Sequence, residues 1–271
     1  MRHRNETCDD AGGTRRPDEL TMRTTDRAIE PVRRPSLALL GAEPFRAALE
    51  LASHKFARPA PTTPGDGHAV VLFPGLGADG ASVGTLRAHC RALGYDAFDW
   101  GQGVNTGPQG DLDAWLHRLS SQVIDLLADR TQPATLIGWS LGGLYARELG
   151  KLMAPRIRQV ITIGTPFNAD ADHTNVGWLF RLLSGSSPTM DAALSRRLRT
   201  PPPLRTTSIY SRSDGVVAWQ TCRHDERSRL VHDIEVDGSH IGMGWNRDVL
   251  AAVTDRLGAR PGPWRRYVRA Q

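Results

Sequence analysis

Cysteine is scarce in this chain. Its 271 residues carry three, Cys8, Cys90 and Cys222, far apart, odd in number and without a C-x-x-C pair; a disulfide framework is not expected. A run of eighteen or more apolar residues is also missing, so no transmembrane helix is expected. H-E-x-x-H is absent, and His224-Asp225 and His232-Asp233 read as solvated surface pairs rather than metal ligands. Long basic runs are lacking too. The net charge is +5, with arginine far outnumbering lysine, yet the signs alternate along the chain and only Arg260 to Arg269 is clearly basic. That pattern speaks against a nucleic-acid partner.

Residues 1–34 hold eight arginines and seven acidic residues and almost nothing apolar. They read as a disordered leader, because a secretory signal needs a continuous apolar core. Leu37 to Gly41 is too short and too far from the start to supply one. The expected location is therefore cytoplasmic.

What is present is the material of one large domain. Residues 35–67 read as an N-terminal helix, Ser36 to Phe56, and a linker, Pro59 to Gly67. Leu39, Leu40, Phe45, Leu49 and Phe56 can share one face of that helix. Residues 68–258 read as strands alternating with helices. The strands are Ala69–Phe73, Tyr95–Trp100, Thr135–Trp139, Gln159–Ile163, Thr206–Ser211 and Val231–Val236. The helices are Ser82–Leu93, Leu112–Ala128, Leu141–Met153 and Asn246–Leu257. This rhythm implies an α/β fold with a mostly parallel sheet covered on both faces. Residues 166–203 interrupt it, and residues 259–271 form a basic C-terminal tail.

The densest information lies in Thr135-Leu-Ile-Gly-Trp-Ser-Leu-Gly-Gly-Leu-Tyr145. A β-branched and apolar strand runs into a serine flanked by Gly138 and Gly142, the G-x-S-x-G spacing of a nucleophile elbow. A side chain at either flanking position would collide with a neighbouring strand or helix, so glycine serves there. The turn exposes the Ser140 hydroxyl and aims the helix N-terminus at a reacting carbonyl.

A serine hydroxyl is a poor nucleophile without a base, and the base needs an orienting acid. Asp214 follows the penultimate strand in Ser211-Arg-Ser-Asp-Gly-Val-Val217, and His240 follows the last in Val236-Asp-Gly-Ser-His240. In a parallel sheet the carboxyl ends of the strands share one edge, where such residues converge. The glycine-rich Leu72-Phe-Pro-Gly-Leu-Gly77 can present the Leu76 N–H, which with that of Leu141 would make an oxyanion hole. Asp237 reads as a turn residue, and Cys222 and Trp219 as local packing. Gly101-Gln-Gly-Val-Asn-Thr-Gly107 lacks G-x-G-x-x-G spacing and reads as a loop near the pocket rim.

On Pro74-Gly-Leu-Gly77, Gly138-Trp-Ser-Leu-Gly-Gly143, Ile163-Gly-Thr-Pro166, Ser213-Asp-Gly-Val216 and Gly238-Ser-His240, the chain resembles the α/β-hydrolases, close to bacterial lipase and esterase-like members. The resemblance covers residues 68–258. It implies Ser140 as nucleophile, His240 as general base, Asp214 as orienting acid, and Leu76 with Leu141 as oxyanion donors. Some lipases resembling this class take the acid after an earlier strand, where this chain has Asp170 and Asp172. Many members carry His-Gly where Pro74-Gly75 stands here; the backbone donor survives the swap.

The interruption is where a cap would sit. Val176, Leu179, Phe180 and Leu183 fall on one helical face with Trp178 nearby. Two readings stand: a mobile lid or acyl-binding wall, or a helix packed on the domain. Trp139, Trp178, Leu179 and Phe180 are the candidate substrate contacts. The expected activity is hydrolysis of a small-molecule or lipid carboxylic ester through an acyl-enzyme. It needs no metal or organic cofactor and allows contact with a lipid interface. An acyltransferase or thioesterase would use the same constellation, and a non-catalytic binding protein would use the same fold.

Overall fold

A computed structural model describes residues 32–56, 64–168, 192–225, 228–259, 265, 267 and 268 of the chain. Six strands form one sheet: β1 Ala69–Phe73, β2 Asp96–Asp99, β3 Ala134–Trp139, β4 Ile157–Ile163, β5 Arg205–Ser211 and β6 Val231–Val236. All neighbours pair in parallel, in the order β2-β1-β3-β4-β5-β6. The helices are α1 Leu37–Phe56, α2 Gly84–Ala92, α3 Leu112–Leu126, α4 Leu141–Leu152, α5 Ala192–Arg199 and α6 Arg247–Leu257.

β1 is an unbroken apolar run, and β3 and β4 bury nearly every residue because both faces are covered, whereas the edge strands β2 and β6 carry exposed acidic residues. Alternate residues point to opposite sides. Val71, Phe73, Leu136 and Val160 pack with Leu119 and Val123 of α3 and Leu144 and Leu149 of α4. Val70, Leu72, Ile137 and Ile161 pack with Leu86 of α2 and Val249 and Val253 of α6. Asp111 and Asn246 cap α3 and α6 through their side chains, whereas α4 follows Ser140 with no side-chain cap.

β1 lies between β2 and β3, so the chain winds one way from β1 to β2 and the other way from β3 onward. The loops leaving the carboxyl ends of β1 and β3 diverge at that reversal, which opens a crevice there. The loop leaving β1 is Pro74–Gly77, and the turn leaving β3 carries Ser140.

Two elements differ from expectation. Helix α1 is present, but the face carrying Leu40, Phe45, Leu49 and Phe56 is exposed, and Glu43 and Ala47 are buried instead. The reason lies in what α1 meets, the loops after β5 and β6, whose backbone N–H groups need acceptors. Helix α5 occupies the end of the 166–203 interruption and packs on the body. Leu198 is buried there, and the Arg147 guanidinium of α4 donates to the carbonyls of Leu198 and Arg199 at 3.3 and 3.0 Å. Val176, Trp178, Leu179, Phe180 and Leu183, like Asp170, Asp172 and Cys8, lie outside the described residues.

Candidate active site

The elbow is built from contacts that tolerate no side chain. A Cβ on Gly138 would strike the backbone of Gly142 and Gly143, and one on Gly142 would strike the Phe73 carbonyl. Gly143 is closed off in the same way by Thr165. Strand, helix and the end of β1 thus close on one another, and the chain turns at Ser140 with φ 53° and ψ −122°. Ser140 is the one non-glycine residue with positive φ among the described residues, a conformation that costs about 1–3 kcal/mol. Its N–H donates to the Ile163 carbonyl at 2.8 Å, and its carbonyl accepts from the Thr165 hydroxyl at 3.0 Å.

The structure brings together three side chains that lie far apart in the sequence. His240 Nε2 lies 3.1 Å from Ser140 Oγ, and His240 Nδ1 lies 2.7 Å from Asp214 Oδ2. Asp214 Oδ1 accepts from the N–H groups of Val216 and Val217 at 2.8 and 2.7 Å, so the carboxylate is fixed on both oxygens. His240 and Asp214 are 5 % and 3 % exposed, while Ser140 is half-buried and open to solvent. Burial works against a charged imidazole, but the Asp214 charge and hydrogen bond, with Glu43 adding to them, outweigh it and raise the His240 pKa above its ordinary value. An acceptor is therefore available at Nε2 once the ring is neutral, with Nδ1–H directed at Asp214.

The expected oxyanion donors lie in the loop after β1, which carries Leu76, and at the start of α4, which carries Leu141. Neither the Leu76 nor the Leu141 N–H is engaged by an acceptor among the described residues. A Cβ on Gly75 would stand 3.3 Å from Ser140 Cβ, which measures how closely the loop after β1 approaches Ser140. Asn105 holds that loop. Fully buried, it donates from Nδ2 to the Pro74 carbonyl at 2.8 Å and accepts from Tyr145 Oη and the Gly107 N–H at 3.1 Å each. The Gly77 N–H donates to the Asn105 carbonyl at 2.8 Å. Sequence reasoning passed over Asn105; its one signal was an Asn inside a glycine-rich turn.

Other expectations are placed as follows. Trp139 is half-buried beside Ser140 and donates its indole N–H to the His240 carbonyl at 3.2 Å. The 101–107 loop borders a cavity of about 220 Å³, but the opposite wall is Trp115 and Arg118 of α3 and not Ser140. Asp237 accepts from Ser213 Oγ at 2.7 Å, tying the loop after β6 to the turn holding Asp214. Cys222 is buried in the core, and Trp219 stacks on Tyr210. His224 is not a solvated surface residue: its side chain is 4 % exposed, packs on Phe167 and bonds Asp233 Oδ1 at 2.7 Å. The contact exists because the chain after β5 folds back over α4, a tertiary event no local pattern encodes.

Known proteins resemble this chain in sequence and in fold. A family model described as the alpha/beta hydrolase family matches residues 70–270. Among curated proteins, a pimeloyl-[acyl-carrier protein] methyl ester esterase of Aliivibrio fischeri is 29% identical over 144 residues, which are 51% of this chain and 49% of that protein. The chain thus matches about half the length of that relative. Among solved structures, Aspergillus fumigatus lipase B superposes with TM-score 0.56 at 17% identity, covering 76% of this chain and 56% of that one. Paleococcus ferrophilus monoacylglycerol lipase gives 0.53 at 16%, over 72% and 95%. At such identities the structural likeness speaks for the fold, and the sheet order, the elbow and the family match agree: the chain belongs to the α/β-hydrolase family.

Proposed function

We propose that the protein is a serine hydrolase of carboxylic esters. The observation that carries the reading is the continuous hydrogen-bonded line from an accessible Ser140 Oγ through His240 to Asp214, at 3.1 and 2.7 Å. Ser140 Oγ attacks the ester carbonyl as its proton passes to His240 Nε2. The negative oxygen of the tetrahedral intermediate lies against the N–H groups of Leu76 and Leu141; one such donor is worth about 3–4 kcal/mol in the transition state. The alcohol leaves with the proton from Nε2, and an acyl-Ser140 ester remains. Water then gives its proton to Nε2 and attacks the acyl carbon. When this second intermediate collapses, Ser140 Oγ takes the proton back and the acid departs.

The methyl ester esterase relatives support an ester over an amide bond, and the half-exposed Trp139 ring beside the nucleophile is the substrate contact we assign among the described residues. Hydrolysis of p-nitrophenyl acyl esters by wild type and Ser140→Ala tests the reading. The variant loses several powers of ten in kcat, and a fluorophosphonate probe labels only the wild type. Equal rates in the two proteins would end the assignment, and transfer of the acyl group to added alcohol or thiol in preference to water would move it to the acyltransferases.

A further inference from the structure

The inner face of α1 is polar where a docking helix is usually apolar, and its polar groups all reach the two loops that hold Asp214 and His240. Glu43 is 1 % exposed. Its Oε1 accepts from the Gly215 N–H at 2.7 Å and from the His240 N–H at 3.0 Å, and its Oε2 accepts from the Ile241 N–H at 2.9 Å. One carboxylate thus grips the residue after the acid, the histidine itself and the residue after the histidine. Gly215 is shaped for this contact: a Cβ there would stand 2.6 Å from the Leu39 carbonyl oxygen and 2.9 Å from Glu43 Oε1. Four and seven residues along the same face, Ala47 accepts at its carbonyl from Trp245 Nε1 at 2.9 Å, and Glu50 accepts from the Ser239 N–H at 2.7 Å and Asn246 Nδ2 at 3.0 Å. Arg46 donates to the carbonyl and hydroxyl of Ser213.

We propose that Glu43 is a positioning residue, a buried clamp from a helix outside the sheet that sets the distance between Asp214 and His240 by holding both of their loops. The proposal rests on the serine hydrolase reading above. Its geometry bridges the two loops through three backbone N–H groups: Glu50 touches only the histidine loop and Asn246, and Asp237, itself in the histidine loop, reaches the turn holding Asp214 through the Ser213 hydroxyl. The charged groups around His240 are Asp214 from the turn after β5, Glu43, Glu50 and Arg46 from α1, and Asp237 from its own loop. Arg46, 3.9 Å from Glu43 Oε1, is the cation that tempers it. The Glu43 charge acts on His240 in the same direction as that of Asp214.

The test compares Glu43→Gln, Glu43→Asp, Glu50→Gln and Ser140→Ala in p-nitrophenyl ester hydrolysis across pH, with thermal melts to verify folding. Glu43→Gln keeps the shape and removes the charge: kcat falls about tenfold or more, KM stays within about twofold, and the acid limb of kcat moves to lower pH. Glu43→Asp keeps the charge and retracts the oxygens by a methylene, so kcat falls while the limb stays. Glu50→Gln lowers the melting temperature with the limb unmoved. Wild-type kcat and limb in a folded Glu43→Gln, or a limb that moves equally in Glu50→Gln, overturns the clamp. Should Glu43→Gln not fold, unchanged kcat in Glu43→Asp overturns it. Activity retained by Ser140→Ala would defeat the hydrolase reading itself, whatever the Glu43 variants do.

Discussion

Ser140 sits in a backbone conformation that any residue with a Cβ resists, and the fold holds it there by closing Gly138, Gly142 and Gly143 around it. Removing the hydroxyl with and without the Cβ separates chemistry from strain. On the proposed mechanism Ser140→Ala and Ser140→Gly both lose the attacking oxygen and both should be inactive, but only glycine relieves the positive φ. The glycine variant is therefore more stable than the alanine variant by about 1 kcal/mol, measured by chemical denaturation. Asn105 makes a second residue-scale prediction. Asn105→Ala leaves the Pro74 carbonyl and the Tyr145 hydroxyl without their buried partner. It should cost about 1–3 kcal/mol of stability and lower kcat more than it raises KM, because the loop it frees carries the Leu76 N–H. The serine, histidine and aspartate were legible because each follows a recognisable strand at a motif. Asn105 was not, since its role exists only once the 101–107 loop has folded against Pro74.

Elements whose burial follows from their own pattern were readable, and elements whose burial is set by a partner were not. The six strands were legible from two signals: the unbroken apolar run Ala69–Phe73 marks a strand covered on both faces, and β-branched runs such as Gln159–Ile163 and Val231–Val236 fall in the alternation of strands with helices. Ends moved by one or two residues at most. Helix α1 shows the opposite case. Its periodicity gave the helix correctly, yet the apolar stripe pointed to the wrong side, because the docking surface is two loops rich in free N–H groups. Substitutions report which side is inside. Phe45→Gln, on a residue 69% exposed, changes stability by no more than about 0.5 kcal/mol. Ala47→Leu, on a residue 4% exposed and bonded to Trp245, costs about 1–3 kcal/mol by overpacking. Guanidinium melts of the two variants decide it, and the reverse ranking would mean that α1 docks by its apolar stripe. Helix α5 had no legible docking face for a related reason: its sequence is mostly arginine and alanine, and it is held by carbonyls offered to Arg147 and Lys151, by Arg197 on Glu148 and Asp113, and by a single buried leucine.

Among the described residues, four wholly or partly buried histidines divide into two groups that respond to acid in opposite directions. His68 bridges Asp66 and Thr135 beneath the sheet, His89 joins α2 to Thr254 of α6, and His224 packs between Phe167 and Asp233. Burial depresses the pKa of all three, against the pull of Asp66 on His68 and of Asp233 on His224. In the window below about 6.5 the unfolded chain binds protons that these folded imidazoles refuse, so stability falls as pH drops. Asp66, held below the usual carboxylate range by His68 and Arg158 in spite of burial, adds a loss in the same direction at lower pH. His240 has a raised pKa, so its window lies above about 6.5. There the folded state holds the proton and the unfolded chain does not, and stability falls as pH rises. The melting temperature should accordingly pass through a maximum near pH 6.5. In the proposed mechanism hydrolysis needs a neutral His240, so activity should decline with an apparent pKa above 6.5, on the side where acidification still strengthens the fold. Activity lost between pH 8 and 6.5 should then return fully on readjusting pH, with no unfolding in a calorimetric scan. His68→Gln should flatten the acid side of the stability curve and leave the activity limb where it was. A melting temperature that falls together with activity through this range would show that His240 is not the group being titrated.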